Sequence, residues 1–240
     1  MLLNDQFQYI LKNYISNREI FQNTPSPRKE VDERWSVRRV IRMKDPNRFP
    51  DYKKMNIPCT IEKNLAIIST KKDKKQYFIK GSSGEGNMSV SPWIGIFDKD
   101  VTTSARKEYA VVYLFDTKMN RFYLSLNQGW TQYHHSVLRK DSKTGEFKKG
   151  KYASKYLEFS STEHAAAAIK KNARIAQNLI NSSRGFSFDS INLSSGFDPM
   201  KGKVPQNKEN LAWGYEMGNI LSKCYETDNI PSEEVLFDDL

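Results

Sequence analysis

The sequence of 240 residues is short of features that would mark a membrane protein or a secreted one. It has no apolar run near the roughly 18 residues that a membrane-spanning helix needs. Its two cysteines, Cys59 and Cys224, have no metal-ligand spacing and are too few for a disulfide framework. The N-terminal stretch "MLLNDQFQYILKNY" carries an acid and no basic segment. We therefore expect no signal peptide, no membrane association and a cytoplasmic location.

Catalytic motifs are equally scarce. The three histidines, His134, His135 and His164, have no spaced Cys or Asp partner, so we expect no metal and no cofactor. The glycine-rich "GSSGEGN" lacks the Lys-Ser/Thr of a Walker A loop and leads into a strand, whereas phosphate-binding loops lead into a helix. No Ser or Cys stands in a nucleophile motif. The chain thus carries none of these catalytic motifs. Asp98 and Asp100 keep a metal-dependent nuclease open as an alternative.

Positive charge is abundant. The net charge is +10 and the sequence pI is about 9.4, a balance that favours a polyanionic partner. Residues 139–160 hold 7 Lys/Arg against 3 Asp/Glu, and "KKDKK" at 71–75 forms a second basic run. We interpret 139–151 as a mobile, lysine-rich loop.

Hydrophobic patterning predicts helices around a run of strands. Apolar residues at helical spacing indicate a first helix over 4–21. Aromatic and β-branched runs predict strands at 64–70, 76–80, 88–97, 109–115, 121–127 and 155–159. "DTKMN" between the fourth and fifth of these runs is typical of a hairpin loop, which makes that pair antiparallel.

Two further helices are predicted in the C-terminal third. Ser160 and Glu163 form a capping box before a helix that runs to about residue 180. A second helix is predicted over 207–225, and Ser232 is typical of the cap of a third. Helices on either side of hairpin-connected strands predict an α+β domain over 1–228. We expect 229–240 to begin a linker or helix toward an effector domain.

One block of the sequence is more specific than these patterns. From Lys80 to Thr131 it contains Gly-x-Gly-Asn, then Pro-Trp six residues beyond the second glycine, then Thr-Ser-Ala and Leu-Asn-Gln-Gly. This combination closely resembles the N-terminal domain of the McrB family, the MrcB-like N-terminal domain. The resemblance extends more loosely over most of the chain.

The resemblance implies a fold and a function. It implies a curved, mainly antiparallel sheet flanked by helices, acting as a non-catalytic DNA-binding module of a modification-dependent restriction system. Its partners would be double-stranded DNA with a modified base, a fused effector domain (an AAA+ GTPase or a nuclease) and a separate nuclease subunit. In the family's best-known member a methylated cytosine is flipped from the duplex into a pocket on the sheet.

Carried over residue by residue, the resemblance assigns two sets of side chains. The first set would form the base pocket: Gly84, Glu85, Gly86, Asn87, Trp93, Tyr109 and Tyr113. Tyr109 and Tyr113 lie four apart, so both should point to one face of a strand. The second set would contact the DNA backbone: Lys80, Ser82, Ser83, Arg106 and Lys107.

Glu85 departs from the family pattern, because the best-known member has a tyrosine there. A carboxylate can accept from an exocyclic amine but cannot stack, so the modified base stays open among 5-methylcytosine, 5-hydroxymethylcytosine, N4-methylcytosine and N6-methyladenine. Methylated or hydroxymethylated cytosine is the preferred interpretation. The competing interpretations are a module that reads unmodified sequence through the grooves, and a nuclease with its own metal site.

Overall fold

The computed structural model describes residues 2–23, 37–38, 40–41, 56–68, 76–84, 87–154, 157–204 and 211–240. The described helices are α1 (Leu3–Asn23), α2 (Ile57–Ile68), α3 (Trp130–His134), α4 (Thr162–Asn178), α5 (Leu211–Gly218) and α6 (Glu233–Asp238). The main strands are β1 (Tyr77–Ser82), β2 (Trp93–Asp98), β3 (Tyr109–Phe115), β4 (Arg121–Gln128) and β9 (Asn219–Glu226). Two short hairpins are formed by β5 (Arg139–Lys140) with β6 (Phe147–Lys148) and by β7 (Phe197–Asp198) with β8 (Gly202–Lys203).

The five main strands form one open sheet in the order β1-β2-β3-β4-β9, and every neighbouring pair is antiparallel. This confirms the predicted α+β class and the antiparallel hairpin between β3 and β4. The register shifts between Leu126 and Asn127, where β4 pairs with β9. A bulge of this kind bends a strand and increases its local twist. The strand thus bends where it approaches α3.

The two faces of the sheet have separate cores. On one face α1 covers the strands, and Phe7 packs on Tyr113 and stacks on Phe122 at ring separations of 4.8 and 4.5 Å. On the other face the cluster includes Val112 and Leu114 of β3. Successive residues of a strand point to opposite faces, so neighbours on β3 belong to different cores.

The strand predicted at 64–70 is wrong for the residues that the structure describes, because residues 64–68 form the last part of α2. The helix begins seven residues earlier, where Asn56 Oδ1 accepts from the Cys59 amide at 3.0 Å. Ile57 and Ile61 lie one turn apart, and both are fully buried. A window that starts at residue 64 contains only the end of this helical pattern.

The helix predicted over 207–225 is only partly correct. Residues 205–210 lie outside the described ranges, α5 ends at Gly218, and residues 219–226 form β9. A side chain at Gly218 would bring its Cβ within 2.7 Å of Asn127 Oδ1, so the chain turns closely against β4 there. Pairing with β4 supplies the backbone hydrogen bonds of β9, and this tertiary contact overrides the local pattern.

Three smaller predictions change in detail. The cap of α4 is Ser161 rather than Ser160, since the Ser161 side chain accepts from the His164 amide. The stretch 155–159 shows bridges at Leu157 and Phe159 but no strand among its described residues. Residues 139–151, predicted as a mobile, lysine-rich loop, contain the β5–β6 hairpin. The predicted cap Ser232 is confirmed, because it accepts from the Val235 amide at the start of α6.

Helix α6 lies in the segment 229–240, for which a linker or a helix was expected. Its Leu236 is fully buried in the α1-side core, and its Glu233 accepts from the Leu3 amide at 2.9 Å. The first helix and the last are therefore joined through this core. None of the helices in the described part of the chain is both long and apolar enough to cross a membrane.

A buried ion pair connects distant parts of the chain. Arg18 of α1 donates two hydrogen bonds to Asp198 of β7, at 2.6 and 2.9 Å, and its Nε donates to the carbonyl of Met88. Both side chains are less than a tenth exposed. Burial opposes ionisation of Asp198, but hydrogen bonds from Arg18 and from the Met200 amide outweigh it, so the pKa of Asp198 lies below its usual value. One guanidinium thus holds α1, the glycine-rich loop and the β7–β8 hairpin together.

We predict that Asp198→Ala lowers the free energy of unfolding by about 3–5 kcal/mol, because it leaves the Arg18 charge buried without its carboxylate. Urea unfolding followed by circular dichroism measures the loss. Glu226→Ala is the control, since it breaks the half-exposed Arg121–Glu226 pair and should cost less than about 1 kcal/mol. Equal losses in the two variants would contradict the role given to the buried pair.

Candidate nucleic-acid interface

An open cavity of about 510 Å³ lies on the sheet face opposite α1, at the end of β1 where β2 begins. Ligand sites commonly fall between ~300 and 1,000 Å³, so the volume suits a group the size of a nucleotide. The lining residues come from β1, the loop between β1 and β2, β2, the link before β3, the start of α3, the segment after β6 and α5: Lys80, Ser82, Gly84, Ser89, Trp93, Thr103, Ser104, Ala105, Arg106, Thr131, Tyr152, Leu211 and Tyr215.

Trp93 is the cavity's tryptophan and is only partly buried. It begins β2, and its ring packs edge-on against Phe97 with the centroids 6.3 Å apart. Gly95 lies between these two on the same face of the strand, and a Cβ there would come within 2.3 Å of the Phe97 ring. The missing side chain at Gly95 leaves room for the Phe97 ring, and this ring supports Trp93.

Pairing between β2 and β3 decides which neighbours Trp93 has. Trp93 pairs with Leu114, and Ile94 pairs with Tyr113. Directly paired residues share a face, so Leu114, Val112 and Ala110 lie on the side of Trp93. These three line a smaller recess with Trp93 that has room for about one water molecule.

The glycine-rich loop is shaped by its own backbone. Gly84 has φ +97°, and a Cβ there would come within 2.3 Å of the Asn87 carbonyl. The Ser89 amide closes the loop by donating to the Ser83 carbonyl at 2.8 Å. Tyr14 of α1 donates to the Ser89 carbonyl. Gly84 is therefore required by this tight turn, whatever approaches the loop tip.

The link from residue 99 to 108 forms another wall. Thr102 Oγ1 accepts from the Ser104 amide at 3.1 Å and fixes a local turn. Gln132 of α3 holds the end of the link, since its amide donates to the Arg106 carbonyl and its side-chain oxygen accepts from the Glu108 amide. Arg106 is thereby placed at the cavity by a backbone attached to α3.

Positive groups surround His135 beside the cavity. Burial lowers the pKa of His135 from its usual value, and the charges of Arg139, Lys151 and Arg106 lower it further. The His135 ring stacks on Tyr152 at 5.9 Å, and Lys151 Nζ lies 5.6 Å from the centre of the Tyr152 ring. Lys80 and Arg106 therefore give the cavity a cationic side, and Arg139 and Lys151 lie close to His135 at the end of α3.

A scan against protein families matches residues 30–240, nearly the whole chain, to the MrcB-like N-terminal domain. The chain belongs to this family. It is thus a DNA-binding targeting domain of the McrB family, as the Lys80–Thr131 block predicted. A search of curated proteins found no match to the chain, and a search of solved structures found none either.

The Leu-Asn-Gln-Gly motif of this MrcB-like domain is structural. Asn127 Nδ2 donates to the Tyr215 carbonyl at 3.0 Å, and Gln128 Nε2 donates to the Ile169 carbonyl at 3.1 Å. These bonds attach α5 and α4 to β4. Gly129 leaves no space for a side chain, since a Cβ would come within 2.2 Å of the Lys107 amide. The motif holds Tyr215 in the wall of the larger cavity, while Asn127, Gln128 and Gly129 line the smaller recess.

Several side chains predicted from the sequence do meet at this cavity. Lys80, Ser82, Gly84, Trp93 and Arg106 all line it, and Lys107 lines the smaller recess.

Other predicted positions lie elsewhere. Tyr113 is fully buried against Phe7 on the opposite face of the sheet, so the structure does not bring it to Trp93. Tyr109, four residues earlier on β3, is 41% exposed and lines neither cavity. The register places the even-numbered residues of β3 beside Trp93, whereas the two pocket residues predicted on β3 are odd-numbered.

Four other predicted site residues lie in the glycine-rich loop, and the two that the structure describes do not line the cavity. Ser83 is fully buried, and Asn87 is exposed but does not line the cavity. Burial removes Ser83 from any direct contact with a phosphate. Glu85 and Gly86 lie outside the described residues, so their assignment stays a prediction.

Two tyrosines of the cavity were missed by sequence reasoning. Tyr215 lies on α5 and is 8% exposed, and Tyr152 follows the lysine-rich hairpin. Their positions depend on contacts distant in sequence, which a local pattern does not show. Within the described ranges, no group of three or more His, Cys, Asp or Glu side chains could hold a metal ion.

We predict that acid destabilises the domain less when His135 is replaced by Gln. In the folded state the pKa of His135 lies below the ordinary value of 6.5, so as pH falls through 6.5 the unfolded chain takes up the proton first. Folding stability tied to a neutral His135 is therefore present above pH 6.5 and lost below it. Thermal unfolding of both proteins at pH 7.5 and 5.5 tests this. An identical pH dependence would show that folding does not lower the pKa of His135.

Proposed function

We propose that this domain recognises a modified base in duplex DNA by taking the base out of the stack and into the 510 Å³ cavity. The observation that carries the proposal is the partly exposed Trp93 in the wall of a nucleotide-sized cavity with a cationic side. Extruding a base costs a few kcal/mol, and stacking on an aromatic ring returns about 1–3 kcal/mol. Trp93 supplies that ring.

The other lining groups suit the edge of a base. Ser82, Thr103 and Ser104 contribute hydroxyl groups to a wall that also contains Ala105 and Leu211. Hydroxyls both donate and accept, and an apolar wall accommodates a methyl group. This mixture fits a cytosine that carries a small substituent better than it fits a phosphate or a free ion.

The surrounding cations would hold the DNA backbone. Lys80 and Arg106 line the cavity, and Lys107 follows in the same link. Lysine and arginine contacts to phosphates fix the position of a protein on a duplex without reading its sequence. Neutralising several phosphates releases counterions, so affinity should fall steeply with salt.

Glu85 would read the exocyclic amine of the flipped base, either cytosine N4 or adenine N6. It lies between Gly84 and Gly86 in the loop whose near side lines the cavity. A carboxylate accepts from such an amine in a charge-assisted bond. Gly86 would allow the loop tip close approach to the base.

We further propose that the domain directs other proteins to DNA. The modification-dependent restriction system would supply a fused AAA+ GTPase or nuclease and a separate nuclease subunit, all in the cytoplasm. The domain boundary that we expect near residue 228 belongs to this proposal.

The first test is Trp93→Ala on one duplex sequence carrying cytosine, 5-methylcytosine, 5-hydroxymethylcytosine, N4-methylcytosine or N6-methyladenine. We expect a loss of about 1–3 kcal/mol on the preferred modified duplex, because stacking is lost. The loss should be much smaller on unmodified DNA, where no base enters the cavity. Fluorescence anisotropy at one fixed salt concentration measures both.

Trp93→Phe is the matched variant, since it keeps an aromatic face and should retain most of the preference. Equal weakening of modified and unmodified duplexes by a folded Trp93→Ala protein would reject the base pocket. Binding that ignores modification but depends on sequence would favour a groove-reading module. Mg²⁺-dependent cleavage of DNA by this chain alone would indicate a nuclease.

The second test concerns Glu85. Glu85→Ala should cost about 1–3 kcal/mol on the preferred modified duplex, because the amine of the base loses its partner. Glu85→Gln keeps the size and should lose less, since only the charge is removed. The ratio of affinities for modified and unmodified duplexes is measured for wild type and both variants. An unchanged ratio in both would place the reading of the modification elsewhere.

A further inference from the structure

The hairpin formed by β5 and β6 carries an aromatic side chain that the domain itself does not cover. Phe147 is 66% exposed, which is unusual for a phenylalanine. Residues 139–151 around it contain six basic side chains against Asp141 and Glu146. A single exposed ring is common on protein surfaces, but this ring is set in a strongly basic hairpin, and that combination points to a role in binding a polyanion.

The hairpin is built to present this ring beside lysines. Lys140 lies directly across from Phe147, and Arg139 across from Lys148. Directly paired residues share a face, so Phe147 and Lys140 project together. Both are exposed, and no described residue forms an ion pair with Lys140.

The turn of the hairpin is fixed by Asp141. Its Oδ1 accepts from the amides of Lys143 and Thr144, at 2.8 and 3.1 Å, and its other oxygen binds Lys148. The hydrogen bond from Lys148 and those two amides hold the pKa of Asp141 below its usual value. The carboxylate thus serves the turn, and it leaves Lys140 available beside the ring.

The base of the hairpin is joined to the cavity. A Cβ at Gly150 would come within 1.9 Å of the His135 carbonyl, so the chain passes tightly against α3's end there. Two residues on, the Tyr152 amide donates to the same carbonyl at 3.2 Å, and the Tyr152 side chain lines the cavity. A duplex with one base in the cavity would therefore lie near the root of the hairpin.

We propose that the β5–β6 hairpin is a DNA-contacting arm, in which Phe147 stacks on bases of the duplex next to the base-reading cavity while Lys140 binds a phosphate. Apolar side chains inserted at base steps and basic groups on phosphates are a recurring combination in DNA-binding proteins. A protein partner for Phe147 would have to bury the surrounding lysines as well, and lysine is depleted at protein interfaces. This inference rests on the proposed DNA-binding site.

The experiment measures the affinity of the whole chain for modified and unmodified duplexes over a series of salt concentrations. Phe147→Ala should weaken binding to both duplexes about five- to tenfold by loss of stacking. The slope of log affinity against log salt should stay unchanged, because no phosphate contact is lost. Lys140→Gln should instead reduce the magnitude of this slope by about 1.

Two controls accompany the series. Phe147→Tyr keeps the ring and should bind within about twofold of wild type. Phe188→Ala removes another exposed ring, one that is 41% exposed and is followed by Asp189, and should bind as wild type does. Wild-type affinity of Phe147→Ala at every salt concentration would overturn the proposal and assign Phe147 to another partner.

The test of the arm can be distinguished from the test of the base pocket. Trp93→Ala changes the ratio between modified and unmodified duplexes, whereas Phe147→Ala lowers both affinities and keeps the ratio. If Trp93→Ala leaves the ratio of the two affinities unchanged, the base-pocket proposal is rejected and the arm proposal is unaffected. If Phe147→Ala leaves both affinities unchanged, the arm proposal is rejected and the base-pocket proposal is unaffected.

Discussion

The antiparallel pairing of β2 with β3 is the constraint on which the site depends. Because Trp93 pairs with Leu114, the even-numbered residues of β3 face the cavity side and Tyr113 enters the core beneath α1. A shift by one residue would exchange the two faces and remove the site. The core on the α1 side makes such a shift costly, since it would place Val112 and Leu114 against α1 in place of the Tyr113 and Phe115 rings that pack on Phe7.

The cavity walls are held by contacts with parts of the chain that are distant in sequence. Arg18 connects α1 to the glycine-rich loop and to Asp198, and Asn127 holds the backbone of Tyr215. A buried charge without its partner is expensive, and so is a buried amide. These contacts hold α5 and the described end of the glycine-rich loop at the cavity, and Gln132 holds the link before β3. Because the walls of a preformed cavity are already ordered, ligand binding loses less conformational entropy.

Charge and stacking have separate tasks in the proposed complex. Cations at the cavity, such as Arg106, and lysines on the β5–β6 hairpin would supply affinity that depends on salt but not on sequence. The rings of Trp93 and Phe147 would supply contacts that salt hardly changes, one inside the cavity and one on the arm. Discrimination between bases then falls to the cavity alone. The acidic Glu85, placed by sequence in the loop beside it, is the group on which we base the specificity hypothesis.

The sequence by itself determined the family, the α+β class, most of the central strands and the tryptophan of the cavity. These follow from short patterns, such as alternation in β3 or Pro-Trp after a glycine-rich loop, that depend on neighbours in the chain. Only the tertiary structure decided that Tyr113 is a core residue, that 219–226 is a strand, and that Tyr152 and Tyr215 complete the cavity. Strand register, the pairing of β9 with β4 and the joining of distant segments at one cavity depend on which surfaces are buried against each other. That choice belongs to the whole chain, because burial is a property of the packed fold and not of a local sequence window.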